Sequence, residues 1–302
     1  MKKWLKVRAG LSLLALGLAS CGGSQIEPFQ PRQIIVLGDE TAVLATDGRH
    51  YSMNENNTNG AFDCNLLPTW TQQLVANFGL ALDRCAAGGS SGNAITRGAP
   101  GAKAANLPSQ VDAQLAAGAV TNKDLFVVMV GLNDIIECYE TPASCNSPGS
   151  TLVDRGALVA QQVNRMIDAG GRVIVSTVHD IGLTPYGRAK DAANSGEAAR
   201  LTQMTDAFNA RVRVDILQDG RFVGLVLGDD TSRAMVKAPA AFGLGNVTDP
   251  ACAVAPPDCS TTTLVRGATS ATHLWADDRH FGPVMNNQLA LQAETRAHNN
   301  PF

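Results

Sequence analysis

The chain is punctuated by short apolar runs that stop abruptly at turn residues, with helical patterns between them. Gln33-Ile34-Ile35-Val36-Leu37 halts at Gly38, and Leu125-Phe126-Val127-Val128-Met129-Val130 halts at Gly131. Val173-Ile174-Val175-Ser176-Thr177-Val178 and the run 222–227 have the same character, and residues 80–82 read as a shorter second strand. Runs that are apolar at consecutive positions, not alternate ones, belong to strands buried on both faces. Between them, Leu67, Trp70, Leu74 and Phe78 fall at helical spacing, with Gly79 closing the pattern. Further helices are predicted over 110–117, over 152–169 before Gly170-Gly171, and over 198–217, where Leu201, Met204, Phe208, Val212 and Ile216 share a face. Pro283 opens a last helix that runs to residue 298. Strand and helix in strict alternation predict an α/β fold, a doubly wound parallel sheet of about five strands with helices on both faces. No internal repeat or change of composition divides residues 33–302, so they read as a single domain.

Residues 1–20 stand outside that domain. Lys2, Lys3, Lys6 and Arg8 form a basic start and 9–19 an apolar stretch too short to span as a stable helix, the pattern of a signal peptide. Leu18-Ala19-Ser20-Cys21 resembles a bacterial lipobox, which implies acylation of Cys21 and a membrane tether that does not cross the bilayer. Gly22 in place of Asp implies, by the same resemblance, passage to the outer membrane. Residues 21–32 then read as a polar tether. Removing the leader takes four cations and no acid, leaving 20 Lys+Arg against 27 Asp+Glu, so the formal charge moves from −3 to −7. An acidic exported chain without a basic stripe is not a nucleic-acid binder.

Cysteine usage agrees with export. Apart from Cys21 there are six: Cys64, Cys85, Cys138, Cys145, Cys252 and Cys259. Spacing favours Cys138 with Cys145 and Cys252 with Cys259, each closing a short Pro-containing loop, and Cys64 with Cys85 by remainder. Neither C-x-x-C nor His-rich spacing occurs, so these cysteines are not expected to hold zinc, and no cofactor is expected.

The polar residues worth attention lie just beyond strands or ahead of the last helix, on the sheet edge where doubly wound folds bind ligands. They are Gly38-Asp39-Glu40, Gly88-Gly89-Ser90, Gly131-Leu132-Asn133-Asp134 and Asp277-Asp278-Arg279-His280. The set resembles the SGNH, or GDSL-type, hydrolase family, whose fold is a flavodoxin-like sheet. Gly131-x-Asn133-Asp134 resembles the block whose Asn donates to an oxyanion. Gly89 resembles the glycine that offers a backbone N–H there, although spacing leaves open which of Gly88 and Gly89 turns inward. Asp277-x-x-His280 resembles the block supplying a general base and its orienter. Val178-His179-Asp180-Ile181-Gly182-x-x-Pro185 and Phe208-Asn209 resemble two further stretches, though the family commonly has Pro where His179 sits.

The first block departs from the pattern. The family's nucleophilic serine is replaced by Glu40, and ester attack by a carboxylate gives a reactive mixed anhydride in place of an acyl-serine. Three outcomes are open: Glu40 acts as nucleophile or as base for water; Thr41, Ser90 or Ser91 substitutes; or the site binds without turnover. The resemblance therefore implies a GDSL-type hydrolase acting on a carboxylic or acetyl ester of a lipid or glycan, with Glu40, Gly89, Asn133, Asp277 and His280 as site residues. The alternative is a catalytically impaired relative that binds a ligand or a cell-envelope partner.

Overall fold

A computed structural model describes residues 28–85 and 93–299. The signal-peptide expectation, Cys21, and the stretch containing Gly88, Gly89, Ser90 and Ser91 lie outside these residues. Five strands form one parallel sheet: β1 (Gln33–Gly38), β2 (Ala94–Thr96), β3 (Asp124–Met129), β4 (Arg172–Ser176) and β5 (Val223–Val226). Their order is β2-β1-β3-β4-β5, all parallel, with Ile34 opposite Leu125 and Leu125 opposite Arg172. The chain leaves β1 in one direction and returns on its other side as β3, which creates a topological switch point between them.

Alternation along the strands divides the core in two. Ile34, Val36, Val127, Met129 and Ile174 pack with Trp70, Leu74, Met285 and Leu289. The first pair of these helical residues belongs to α1 (Trp70–Asn77) and the second to α8 (Pro283–Asn299). Ile35, Leu37, Phe126, Val128, Val173 and Val175 face the other way, onto α2 (Leu107–Ala117), α4 (Leu152–Asp168) and α6 (Glu197–Asp215). Each successive side chain of a strand points to the opposite face, so an unbroken apolar run feeds both layers. The remaining helices are α3 (Leu132–Glu140), α5 (Pro185–Ala193) and α7 (Gly228–Lys237).

One strand expectation is corrected. Residues 80–82 form no strand beyond a single bridge from Leu82 to Ala94, and the second strand is Ala94–Thr96. The Gly-rich stretch 86–92 therefore precedes β2 instead of coming after it. The turn that leaves β2 at the switch point is Arg97-Gly98-Ala99-Pro100-Gly101.

The excursion at 242–270 contains β6 (Asn246–Pro250), which pairs in parallel with β7 (His273–Trp275) to form a small second sheet. A satellite core of Met53, Ala251, Cys252, Cys259 and Ala276 lies beneath it. Asn54, from the polar segment 46–63, donates to the carbonyls of Pro257 and Cys259 at 2.9 and 3.0 Å, locking the two excursions together. The three cysteine pairings expected from spacing are present. No described helix is long and apolar enough to cross a membrane.

Candidate active site

Four segments converge at the carboxyl edge of the sheet. The first is the end of β1, where Gly38 has φ +117° and any Cβ would fall 1.8 Å from the Met129 carbonyl oxygen. Only glycine lets β1 lie this close to β3 as the chain turns. Gln110 holds the turn from below: its Oε1 accepts from the Gly38 N–H at 2.8 Å and its Nε2 donates to the Gly38 carbonyl at 3.2 Å. Asp39, fully buried, then accepts from the Thr41 N–H and hydroxyl and from the Gly131 N–H at 3.1 Å. Burial and the neighbouring Glu40 charge raise its pKa to about 8, against the pull of those donors. Asp39 thus ties β1 to the start of α3.

Glu40 projects into the site and is 6% exposed. Asn133 Nδ2 lies 3.0 Å from both carboxylate oxygens, and the Gly101 backbone N–H donates to Oε2 at 2.7 Å. Asn133 also donates to the Ala102 carbonyl at 3.1 Å, so one amide fixes both Glu40 and the segment that carries Gly101. Asp134 completes that clamp: it is fully buried and accepts from the Ala104 N–H at 2.8 Å and from Arg155 at 3.1 Å. Arg155 reaches from α4 to Glu137 at 2.6 Å and to the Ser150 carbonyl at 3.0 Å as well.

The fourth segment is the turn before α8. Asp277 Oδ2 lies 2.8 Å from His280 Nδ1, while its Oδ1 accepts from the His280 and Arg279 N–H groups at 2.6 and 2.9 Å. His280 Nε2 points at Glu40 Oε1 from 3.5 Å, within ion-pair reach but without a formed hydrogen bond. The Tyr51 ring sits 5.7 Å from the imidazole, between centroids. Burial would lower the His280 pKa, but Asp277 and Glu40 push it up to about 9. Burial likewise opposes ionisation of Glu40 and Asp277, yet contact with the imidazolium brings both below their ordinary values. Near neutral pH the arrangement is carboxylate, imidazolium, carboxylate.

The sequence-expected Glu40, Asn133, Asp277 and His280 are thus brought together. Thr41 is not presented to the cleft: it is buried and its hydroxyl is given to Asp39. Gly101 and Tyr51 carry no motif that marks them as site residues. A turn cluster of Gly98, Pro100 and Gly101 after an Ala-Ile-Thr strand is the signal that could have found the former. Above the site lies an open cleft of about 510 Å³ lined by Glu40, Asp277, Asp278, Arg279 and His280. Ala253, Val254 and Ala255, on the loop braced by the Cys252–Cys259 disulfide, add apolar surface to its lining. No group of three or more His, Cys, Asp or Glu side chains among the described residues is placed to hold a metal ion.

Residues 34–293 match the sequence pattern of the GDSL-like lipase/acylhydrolase family. The chain belongs to that family. Solved structures similar to it include a member of the lipolytic protein G-D-S-L family from Veillonella parvula, at 12% identity and TM-score 0.45, covering 86% of this chain and 95% of that one. A variant of an acetyl xylan esterase from Geobacillus stearothermophilus is similar at 13% identity and TM-score 0.46, covering 89% and 95%. No curated protein matches the sequence. In this GDSL-like chain, the fold sets Glu40 beside the Asn133 and Gly101 donors and His280 beside Glu40.

Proposed function

We propose that this GDSL-family member keeps the acyl-transfer machinery assembled but silenced by Glu40, and acts by binding an ester-bearing lipid or glycan at the cleft. In this reading Glu40 stands where the family's nucleophilic serine does, and Asp277 and His280 are orienter and base. Asn133 and the Gly101 N–H are the oxyanion donors, Gly101 filling the role the resemblance gives to Gly89. The observation that carries the proposal is that both donors are already given to the Glu40 carboxylate. An oxyanion hole stabilises the charge that develops in the transition state only if its donors are free to turn to the substrate oxygen. The same carboxylate helps hold His280 protonated, and an imidazolium cannot accept the proton of a nucleophile.

A second reading, ester hydrolysis with Glu40 as nucleophile or as base for water, draws support from the intact Asp277–His280 pair at 2.8 Å. Turnover of a short-chain chromogenic ester separates the two. Absence of turnover at any pH supports the binding reading, whereas activity abolished by His280→Ala supports hydrolysis. Glu40→Ser tests the assignment of the site itself. The variant is expected to gain ester turnover and to be labelled by a fluorophosphonate, and a folded but silent variant overturns it. We propose further that the chain is a lipoprotein of the cell envelope, anchored through Cys21. Cys21→Ala is then expected to release it from the membrane fraction.

A further inference from the structure

His179 takes no part in the chemistry above, yet it is fully buried at the same sheet edge, just beyond β4. Its ring packs between Trp275 and Phe281, with centroids 5.7 and 5.2 Å away. Nε2 lies 2.8 Å from the backbone carbonyl oxygen of Arg279. A carbonyl oxygen only accepts, so Nε2 carries the proton and donates. Nδ1 keeps its lone pair and has no hydrogen-bond partner. Burial presses the His179 pKa down to about 4, outweighing the Arg279 bond and the Asp277 and Asp229 charges that favour a second proton; the His280 charge works with burial. The ring is a neutral donor.

That bond falls on one particular peptide group. The Arg279–His280 peptide has its N–H held by Asp277 Oδ1 at 2.6 Å and its C=O held by His179. Pinned at both edges, this peptide plane sets the His280 Cα, and with the His280 carbonyl accepting from the Ala276 N–H at 2.8 Å it fixes the Cα–Cβ direction and the reach of the imidazole. The anchor is itself immobile. Asn209 donates to the Val178 carbonyl at 2.8 Å and accepts from the Val178 N–H at 3.0 Å, gripping the backbone immediately before His179. A buried carbonyl stripped of its donor is left unsatisfied, and rotating the peptide relieves it.

We propose that His179 is a positioning residue for His280: its Nε2–H pins the Arg279 carbonyl and thereby aligns the His280 imidazole with Asp277. Pinning holds whether or not esters are turned over, because its reporter is the titration of His280. A packing role and a pinning role make opposite forecasts for two variants. His179→Gln keeps an N–H donor near the Nε2 position, whereas His179→Leu keeps bulk and removes the donor.

The experiment is imidazole-resolved NMR titration of the parent protein and both variants. The expected result is a His280 midpoint in His179→Gln close to that of the parent, and a fall of about one pH unit in His179→Leu as the Asp277 contact loses alignment. A folded His179→Leu protein with the parent midpoint overturns the proposal. Should that variant fail to fold, the nitrogen shifts of His179 in the parent decide the matter. A neutral Nε2–H tautomer that resists protonation down to about pH 5 supports pinning, while an Nδ1–H tautomer or an ordinary titration overturns it.

Discussion

At position 40 a carboxylate supplies two acceptor oxygens where a hydroxyl would supply one, and this decides what its neighbours can do. The Asn133 amide and the Gly101 N–H both donate to it, and His280 completes the contact at 3.5 Å. If the Glu40 charge helps hold the proton on His280, the neutral isostere releases it. Glu40→Gln is expected to lower the His280 midpoint by about one pH unit from its raised value, read from imidazole chemical shifts against pH. An unchanged midpoint would show that Asp277 alone sets it. The side chains of Glu40, Asn133, Asp277 and His280 are legible in the sequence because each lies just after a strand or just before the last helix, in a recognisable block. Gly101 is not, because a backbone donor leaves no side-chain signature. The Gly- and Pro-containing cluster marks a turn there, and the fold gives it a role by bringing the turn after β2 against the turn after β1.

The elements themselves divide in the same way. Four strands announce themselves as β-branched runs, since a strand covered on both faces has no polar positions to blur the signal. The second strand is hard to place because Leu80, Ala81 and Leu82 look more apolar than Ala94, Ile95 and Thr96, and a three-residue edge strand carries little pattern of its own. Helix α7 is hidden because it opens on Gly-Asp-Asp-Thr, which reads as a turn, while its buried face is only a few residues wide. Between α3 and α4 the decisive link is also invisible in sequence. Arg155 is the only cation bonded to the fully buried Asp134 among the described residues, and it also bonds Glu137. Arg155→Met is expected to destabilise the fold by about 3 kcal/mol, because it leaves a buried carboxylate without its partner. Urea denaturation measures this, and a loss below about 1 kcal/mol would reduce the pair to a surface-type contact.

Across the whole molecule, the site's charges make stability depend on pH with a defined sign. His280 ordinarily titrates at 6.5 and in the fold at about 9, so its stabilising contribution is complete below 6.5 and is lost as the pH rises through 9. Asp39, raised from 3.8 to about 8, acts in the same direction over a lower range. Glu40 and Asp277 are lowered, so theirs is the opposite case, with stability lost as the pH falls into the acid range. The Tm is therefore expected to fall between pH 6.5 and 9, with His280 accounting for on the order of 3 kcal/mol. A thermal melt series at constant ionic strength reads the slope, and a flat profile across this window would contradict it.

The position of Glu40 also has a mechanical consequence. Its carboxylate joins the turn after β1 to the turn after β2, to α3, and to the turn that enters α8. It is a cross-brace over the carboxyl edge of the sheet, joining the turns after β1 and β2 and the start of α3 to the turn that enters α8. A serine in its place would remove the Glu40 links while leaving Asp39 on the Gly131 N–H and Asn133 on the Ala102 carbonyl, so the turn that enters α8 would lose its tie to the rest. In the proposed reading, rigidity and turnover are set against each other at this single side chain, so a Glu40→Ser protein that gains activity is expected also to be the looser molecule.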